Sequence, residues 1–231
     1  MNTETTIIRQ RTSEWFKARV GKFTASNFAE LMAKPGDKSA AWSKSSIHYI
    51  QKLALQLYLD RYILRPDNEA TRWGMRHEEK ALHEFSRASG LAINEAGFII
   101  HPEFPDVGAT PDAIVIEEDQ PDNLILAQVK CPFSRKIHLQ HIRKVCNAES
   151  LKKCRSAIHW QMQGEMWVTG ASHSYFISFD PRLHGQRRLH YVRIGRDQQA
   201  IDELVFIIPK AIALRDEFLE DYKSGKLFIN R

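Results

Sequence analysis

Three side chains near the middle of the chain have types and spacing that could support chemistry: Asp112, Gln128 and Lys130. Asp112 lies near the start of TPDAIVIEE (110–118), and the other two lie at the end of LILAQVK (124–130). Both runs are rich in Ile, Val and Leu, and the turn-forming residues DQPDN separate them, so a β-hairpin is predicted. The carboxylate of Asp112 could bind a hard cation. The ammonium group of Lys130 could stabilise negative charge that develops beside it.

The register of this hairpin determines whether the three side chains meet. If the turn centres within DQPDN, Asp112 lies opposite Val129, to within a residue or two. Gln128 and Lys130 are two positions apart, so they project from the same face of their strand. The hairpin is therefore expected to collect Asp112, Gln128 and Lys130 at one of its ends.

A further acidic residue, Glu78, is predicted to lie on a helix at about 70–89. It shares one face of that helix with Ala81 and Phe85. A carboxylate on an apolar face needs a partner, because an unpaired buried charge is costly. Two interpretations are open: a base such as Arg76 neutralises Glu78, or Glu78 joins the hairpin residues in one site.

The elements that must position these residues change from helical to extended patterns along the chain. The pattern predicts a short helix capped by Ser13 and another capped by Thr24 that runs to Met32. Further helices are predicted at about 42–59, 70–89 (ending before Gly90), 156–169 (ending before Gly170) and 197–223. Strands are predicted at 97–102, 110–118, 124–130, 174–180 and 189–195. This order favours a mixed α/β or α+β architecture, a central mixed sheet flanked by helices. One domain is expected, helical over 1–90 and sheet-bearing over 91–231.

The composition sets broad limits on function. The chain has 231 residues, of which 43% are hydrophobic and 26% charged, with a formal net charge of +5. Such a chain can bury a core and attracts polyanions weakly. No segment reaches the roughly 20 apolar residues that span a bilayer, and no secretion signal is recognisable at the start, so a soluble cytoplasmic protein is expected.

The cysteines and the glycine pattern bear on cofactors. Cys131, Cys146 and Cys154 include no close pair, which favours reduced thiols over disulfides. A zinc site built from His138, His141 and Cys146 is not expected, because zinc ligands usually come in tight pairs. Neither GxxxxGK[ST] nor GxGxxG occurs, so no nucleotide cofactor is expected.

Five ordered sequence blocks carry a family resemblance. The run TPDAIVIEEDQPDNLILAQVKCPFS resembles the PD-(D/E)XK nuclease signature, and is most similar to that of the lambda-exonuclease and YqaJ-like viral recombinase nucleases. The blocks EWFKARVGKFTAS, WGMRHEEKA, HWQMQGEMWVT and FDPR follow the order of the same family. The resemblance implies a PD-(D/E)XK restriction-endonuclease-like core. It also implies an exonuclease that removes nucleotides from the 5′ ends of linear duplex DNA and leaves 3′ overhangs for recombination.

The resemblance also implies a metal centre. Asp112, Glu78, Gln128 and the backbone carbonyl of Val129 would hold two Mg²⁺ ions, with Mn²⁺ as a substitute, and Lys130 would position the attacking water. These residue types suit the chemistry, because Mg²⁺ prefers hard oxygen ligands. Two such ions can stabilise both the attacking and the leaving oxygen of a phosphodiester.

The resemblance further implies how DNA is held. Gln161 would lie close to the metal ions, Arg19 and Ser26 would bind the terminal 5′-phosphate, and Arg135 and Lys136 would contact DNA phosphates. Arginine suits a terminal phosphate because its planar guanidinium can donate two hydrogen bonds at once. The family also implies a homotrimeric ring around double-stranded DNA, a single-strand annealing protein as partner, and a phage or prophage origin in a bacterial host cell.

Gln128 departs from the family pattern, which usually has an acid two positions before the lysine. An amide oxygen can ligate a metal but brings no charge, so weaker Mg²⁺ binding and slower cleavage are expected. Gln128 is either a natural variation or an inactivating substitution. Two other functions stay open: a structure-selective endonuclease on the same core, against which Arg19 argues, and a DNA-end-binding subunit without activity, which Gln128 favours.

Two other segments allow alternative interpretations. The run HGQRRLHYVR (184–193) is either a basic surface for DNA or a partner, or a solvated loop and edge strand. Trp160 and Trp167, seven residues apart on a predicted helix, are interpreted as core residues rather than base-stacking platforms.

Overall fold

The computed structural model describes residues 8–64, 67–117 and 123–226. Its helices are α1 (Ser13–Ala18), α2 (Phe28–Leu31), α3 (Lys44–Tyr58), α4 (Glu69–Ser89), α5 (Arg135–Lys144), α6 (Ala148–Cys154), α7 (Ser156–Thr169) and α8 (Gln198–Lys223). Its strands are β1 (Phe23–Thr24), β2 (Ala92–Glu95), β3 (Ile99–Ile100), β4 (Val107–Ala109), β5 (Ala113–Ile116), β6 (Ile125–Lys130), β7 (His173–Phe179) and β8 (Leu189–Gly195).

Five strands form the main sheet in the order β2-β5-β6-β7-β8. The β6 and β7 strands are parallel, and the other neighbouring pairs are antiparallel. A small sheet of order β1-β4-β3 lies beside it. The predicted mixed α/β architecture with a central mixed sheet is therefore confirmed.

Both faces of the main sheet are covered, which explains why β6 buries five of its six residues. On one face, Ala81 and Phe85 of α4 pack with Ala127 and Val129 of β6. On the other face, Met162 and Met166 of α7 pack with the β6 residue Leu126. Because side chains alternate along a strand, Gln128 and Lys130 lie on the same side of β6 as Leu126, the side that faces α7.

A third apolar cluster joins α2, α3, α7 and α8 to the small sheet. Trp167 belongs to it with 8% exposure. Trp160 is partly buried against the same cluster, so the interpretation of both tryptophans as core residues is confirmed. No helix in the described part of the chain is long and apolar enough to cross a bilayer.

The close contact between α2 and α7 requires a glycine. A Cβ atom on Gly164 would overlap the ring of Phe28. We expect Gly164→Ala to lower the free energy of unfolding by about 1–3 kcal/mol, since a tightly packed core resists an added carbon atom. Gly74→Ala on α4, where no atom lies within 4 Å of the added Cβ, should raise it by up to about 1 kcal/mol through helix propensity. Urea unfolding of both variants tests this contrast, and an equal response would contradict it.

Several predicted boundaries are wrong. Thr12 caps α1 instead of Ser13, because its side chain accepts the hydrogen bond from the Trp15 N–H. Thr24 precedes a short 3₁₀ turn at Ala25–Asn27, and its side chain makes no capping hydrogen bond. The turn predicted at 119–123 lies outside the described residues except for its last position.

Other elements are shorter than predicted or not predicted at all. The strand predicted at 97–102 is only Ile99–Ile100, and the strand predicted at 110–118 is only Ala113–Ile116. No element is predicted between 131 and 155, yet α5 and α6 lie there. These two helices are rich in polar residues, so the sequence shows no clear apolar stripe from which to predict them. The start of α6 is fixed by a reciprocal capping box between Asn147 and Ser150.

The segment 184–193 contains a 3₁₀ turn at Gly185–Arg187 and the first five residues of β8, an edge strand of the main sheet. Arg188 forms an ion pair with Glu84 of α4, and the His190 ring bonds to the carbonyl of Val145. These contacts support the interpretation of this segment as loop and edge strand.

Candidate active site

A cleft of about 370 Å³ opens where β6 ends. Its lining includes eight of the residues expected from the sequence to serve the site: Arg19, Ser26, Glu78, Asp112, Gln128, Val129, Lys130 and Gln161. They come from five parts of the chain, and the docking of α4 and α7 on opposite faces of the sheet brings them together. Gln10, Trp15, Thr24 and Thr110 complete the lining.

Asp112 is held immediately before β5 by the hairpin. Ala113 pairs with Ala127, which places Asp112 opposite Gln128, one position from the predicted partner. The N–H of Val129 donates to Asp112 Oδ2 over 2.6 Å, and the Gln128 amide nitrogen donates to the same oxygen. The expected meeting of Asp112, Gln128 and Lys130 at one end of the hairpin is confirmed, because all three line the cleft.

The surroundings of Asp112 disfavour its charge. Burial raises the pKa of Asp112 to about 7; the Lys130 ammonium opposes this shift, and the charge of Glu78 adds to it. An acid with this pKa is only partly ionised near neutral pH. A cation beside it would restore the carboxylate.

An amide network connects the hairpin to α7. Lys130 Nζ donates to Gln161 Oε1 over 3.0 Å, and Gln161 Nε2 donates to Gln128 Oε1 over 2.7 Å. The same nitrogen donates to Glu165 Oε1 over 2.8 Å. Gln161 therefore orients both the ammonium group of Lys130 and the amide of Gln128.

Glu165 is a buried acid that the sequence did not identify as part of the site. It is 1% exposed, and burial and the charge of Asp112 raise its pKa well above the usual range. Its Oε2 atom is buried without a hydrogen-bond partner. The one available signal was its position as the only acid in HWQMQGEMWVT, one helical turn after Gln161.

Glu78 has a basic partner and also faces the cleft. The partner is Arg11, at 3.0 Å, and not Arg76. The Glu78 side chain is 27% exposed, and its charge acts on Asp112. The two interpretations of Glu78 are thus compatible, because an ion pair with Arg11 leaves Glu78 in the cleft.

Arg19 is a buried guanidinium with an unused donor. It is 6% exposed and lies 4.1 Å from the centre of the Trp15 ring. Its Nη1 donates to Thr110 Oγ1 over 3.0 Å, whereas its Nε is buried with no partner. Among the residues that the structure describes, no carboxylate forms an ion pair with Arg19, so its charge is available to an anion in the cleft.

Arg135 and Lys136 lie outside this cleft. Both are exposed at the start of α5. The next residue, Ile137, lines a second cleft of about 520 Å³, which shares Glu78, Val129 and Lys130 with the first. The structure therefore places the two bases beside the neighbouring cleft and not among the catalytic candidates.

The donor set suits a hard divalent cation. The carboxylates of Asp112 and Glu78 and the carbonyl of Val129 are oxygen ligands of the kind that Mg²⁺ and Mn²⁺ accept. No cluster of three His, Cys, Asp or Glu side chains arranged to hold a metal occurs within the described ranges. The Gln128 nitrogen, not its oxygen, faces Asp112, so ligation by Gln128 would require its amide to turn over.

Solved structures define the class of protein. The alkaline exonuclease LHK-Exo from Laribacter hongkongensis superposes with a TM-score of 0.76 at 29% identity, covering 93% of this chain and 97% of that chain. A phage-related exonuclease from Haemophilus somnus 129PT shares the fold, with a TM-score of 0.64 at 17% identity, covering 89% of this chain and 96% of that chain. The fold is that of an alkaline exonuclease.

The family model of the YqaJ-like viral recombinase domain matches residues 14–172, and the chain belongs to this family. The protein ExoD of Escherichia coli (strain K12) is 36% identical over 67 residues, which are 29% of this chain and 76% of that protein. The predicted family is confirmed. The family and the fold together support a nuclease role in recombination.

Proposed function

We propose that this chain is a divalent-metal-dependent exonuclease that resects linear double-stranded DNA from its 5′ ends and leaves 3′ single-stranded overhangs. The observation that carries the proposal is that Arg19, a buried base with an unused donor, lines the same cleft as Asp112 and Lys130. A terminal phosphate bound by Arg19 would place the first phosphodiester near the acid and the lysine. Family membership supports a nuclease, and the 5′ polarity rests on resemblance.

Asp112, Glu78 and the carbonyl of Val129 would hold the metal, joined by Gln128 if its amide turns over. Two Mg²⁺ or Mn²⁺ ions bound there would supply stabilisation of the attacking and leaving oxygens. Lys130, held by Gln161, would orient the attacking water and offset the developing charge. Ser26, exposed at the rim of the cleft, would assist Arg19.

The assay that tests this function uses a 5′-phosphorylated linear duplex with Mg²⁺. Strand-specific labels at both ends report which end loses nucleotides first. Loss of the 5′ label first, and no cleavage of a closed circular duplex, is the expected result. Cleavage of the circle would favour the structure-selective endonuclease. Removal of Mg²⁺ with EDTA should stop resection.

A second candidate function is a DNA-end-binding subunit without activity. The observation in its favour is that the uncharged Gln128 amide donates to the Asp112 carboxylate, where the family usually has an acid. Tight binding to DNA ends without nucleotide release, in the presence of Mg²⁺ or Mn²⁺, would establish it.

Arg135 and Lys136 are proposed to contact DNA phosphates beside the second cleft. We expect Arg135→Ala and Lys136→Ala each to weaken binding to all duplexes alike and to reduce the slope of log affinity against log salt by about one. Fluorescence anisotropy over a salt series measures this slope. The control is Lys153→Ala on α6, where the lysine pairs with Glu149; a slope unchanged from wild type in all three variants would contradict the assignment.

The family also suggests an assembly and a partner. We propose a homotrimeric ring that encloses duplex DNA, and a single-strand annealing protein that receives the 3′ overhang, both inside a bacterial host cell. Sedimentation equilibrium of the purified chain measures the first, and the mass of a single chain would exclude the ring.

A further inference from the structure

The charges around the cleft do not favour a divalent cation. Of the described side chains that line it, Asp112 and Glu78 are acidic, and Arg19 and Lys130 are basic. Arg11 adds a third base through its ion pair with Glu78. Three bases therefore oppose two acids at a site that would have to hold Mg²⁺ or Mn²⁺, and a further negative charge is needed.

Glu165 is a buried acid that is joined to the cleft through its hydrogen bond with Gln161. It lies on the face of α7 that packs on β6, one turn beyond Gln161, and the charges of Asp112 and Lys130 both act on it. A fully buried carboxylate oxygen without a partner is costly. Its Oε2 is such an atom, and the packing of the core does not explain it. In the metal-free protein burial favours the protonated form of Glu165 by raising its pKa, and a cation bound in the cleft would favour the carboxylate.

We propose that Glu165 supplies the negative charge that the sequence motif lacks at Gln128, so that the third acid of the site has moved from β6 to α7. This inference rests on the proposed function. Glu165 acts as a positioning residue through Gln161. Its Oε1 accepts from Gln161 Nε2, which leaves Gln161 Oε1 for the ammonium of Lys130.

The same geometry explains why position 128 is an amide. Gln161 Nε2 donates both to Gln128 Oε1 and to Glu165 Oε1. With acids at both positions, two carboxylates would share one amide group, and like charges in one buried site raise the pKa of one of them. One acid, at either position 128 or position 165, should therefore be enough for the site. Moving the acid from position 165 to position 128 should preserve metal binding.

The test is a double-mutant cycle of wild type, Glu165→Gln, Gln128→Glu and the double variant. Mn²⁺ affinity of the DNA-free protein is measured by calorimetric titration, alongside the resection rate. Glu165→Gln should weaken Mn²⁺ binding about 10- to 100-fold, the usual loss when a supporting group of a metal site is removed. The double variant should return to within about threefold of wild type, whereas Gln128→Glu alone should gain no more than about threefold.

Glutamine at 165 keeps the volume and the accepted hydrogen bond, so Glu165→Gln should unfold at the wild-type temperature or above it. The matched control is Glu117→Gln. Glu117 is a shielded acid that accepts from the Tyr175 hydroxyl beyond the opposite end of β5, and its replacement should leave Mn²⁺ affinity unchanged.

Wild-type Mn²⁺ affinity in Glu165→Gln, or a double variant as weak as Glu165→Gln, would overturn the inference. Failure of the proposed function is a separate result. The wild type could release no nucleotides while Glu165→Gln loses Mn²⁺ affinity and the double variant recovers it. In that case the proposed function is wrong and the assignment of the negative charge to Glu165 stands.

Discussion

Replacement of Asp112 by asparagine is expected to reduce nucleotide release from linear duplex DNA by about 10³-fold or more, because it removes the central carboxylate of the site. Asparagine can still accept the two hydrogen bonds from Val129 N–H and the Gln128 amide. The local structure should therefore survive while the charge is lost. Initial rates with saturating Mg²⁺ measure the effect.

The same replacement should stabilise the metal-free fold. Burial raises the pKa of Asp112 from its ordinary value of 3.8 to about 7, so ionisation of this acid disfavours the folded state above pH 3.8. An asparagine side chain does not ionise and is free of that penalty. The gain in the free energy of unfolding should be absent below about pH 4, grow up to about pH 7 and then level off, as measured by urea unfolding at several pH values in EDTA.

Asp37→Asn provides the control for this replacement, since Asp37 is an exposed loop acid whose partner is Ser39. It should change neither the resection rate nor the pH dependence of stability between pH 4 and 7. An Asp112→Asn variant that keeps a tenth or more of wild-type activity would show that another carboxylate holds the central position.

The hairpin part of the site was accessible from the sequence because its rules are local. Strand alternation places Gln128 and Lys130 on one face, and the turn length sets the position of Asp112 to within one residue of the observed register. The mixed sheet followed from the change of period along the chain. The residue types of the hairpin then indicated the chemistry.

The rest of the site depends on packing that no local pattern encodes. The ion pair of Glu78 joins it to Arg11, 67 positions away, because the chain before α1 lies against the middle of α4. Glu165 shares a helix face with Gln161, yet only the docking of α7 on β6 shows that this face points at the hairpin. The helix α6 was missed because a capping box and packing on α7 fix it. The helix α5 was missed because it is mostly polar and is held against β7 by two buried histidines, His138 and His141.

Arg19→Ala is expected to lower the rate of resection from 5′-phosphorylated ends by about 10- to 100-fold. This is the loss expected when one or two charge-assisted hydrogen bonds to the terminal phosphate are removed. Resection of 5′-hydroxyl ends should change much less, because they lack the group that Arg19 would bind. The ratio of the two rates, measured on duplexes that differ only in the terminal phosphate, isolates this contact from any general loss of structure. Arg72→Ala, an exposed arginine paired with Asp67, should leave the ratio unchanged.

Arg19→Lys separates charge from shape at the same position. Lysine keeps the positive charge near Trp15 and Thr110 but lacks the planar fork and the Nε–H that is buried without a partner. If the unused Nε–H serves the terminal phosphate, lysine should restore only part of the preference for phosphorylated ends. A ratio equal to wild type in both variants would mean that the phosphate is bound elsewhere. The buried guanidinium would then act as support for the Trp15 side of the cleft, and the proposed contact between Arg19 and the terminal phosphate would be wrong.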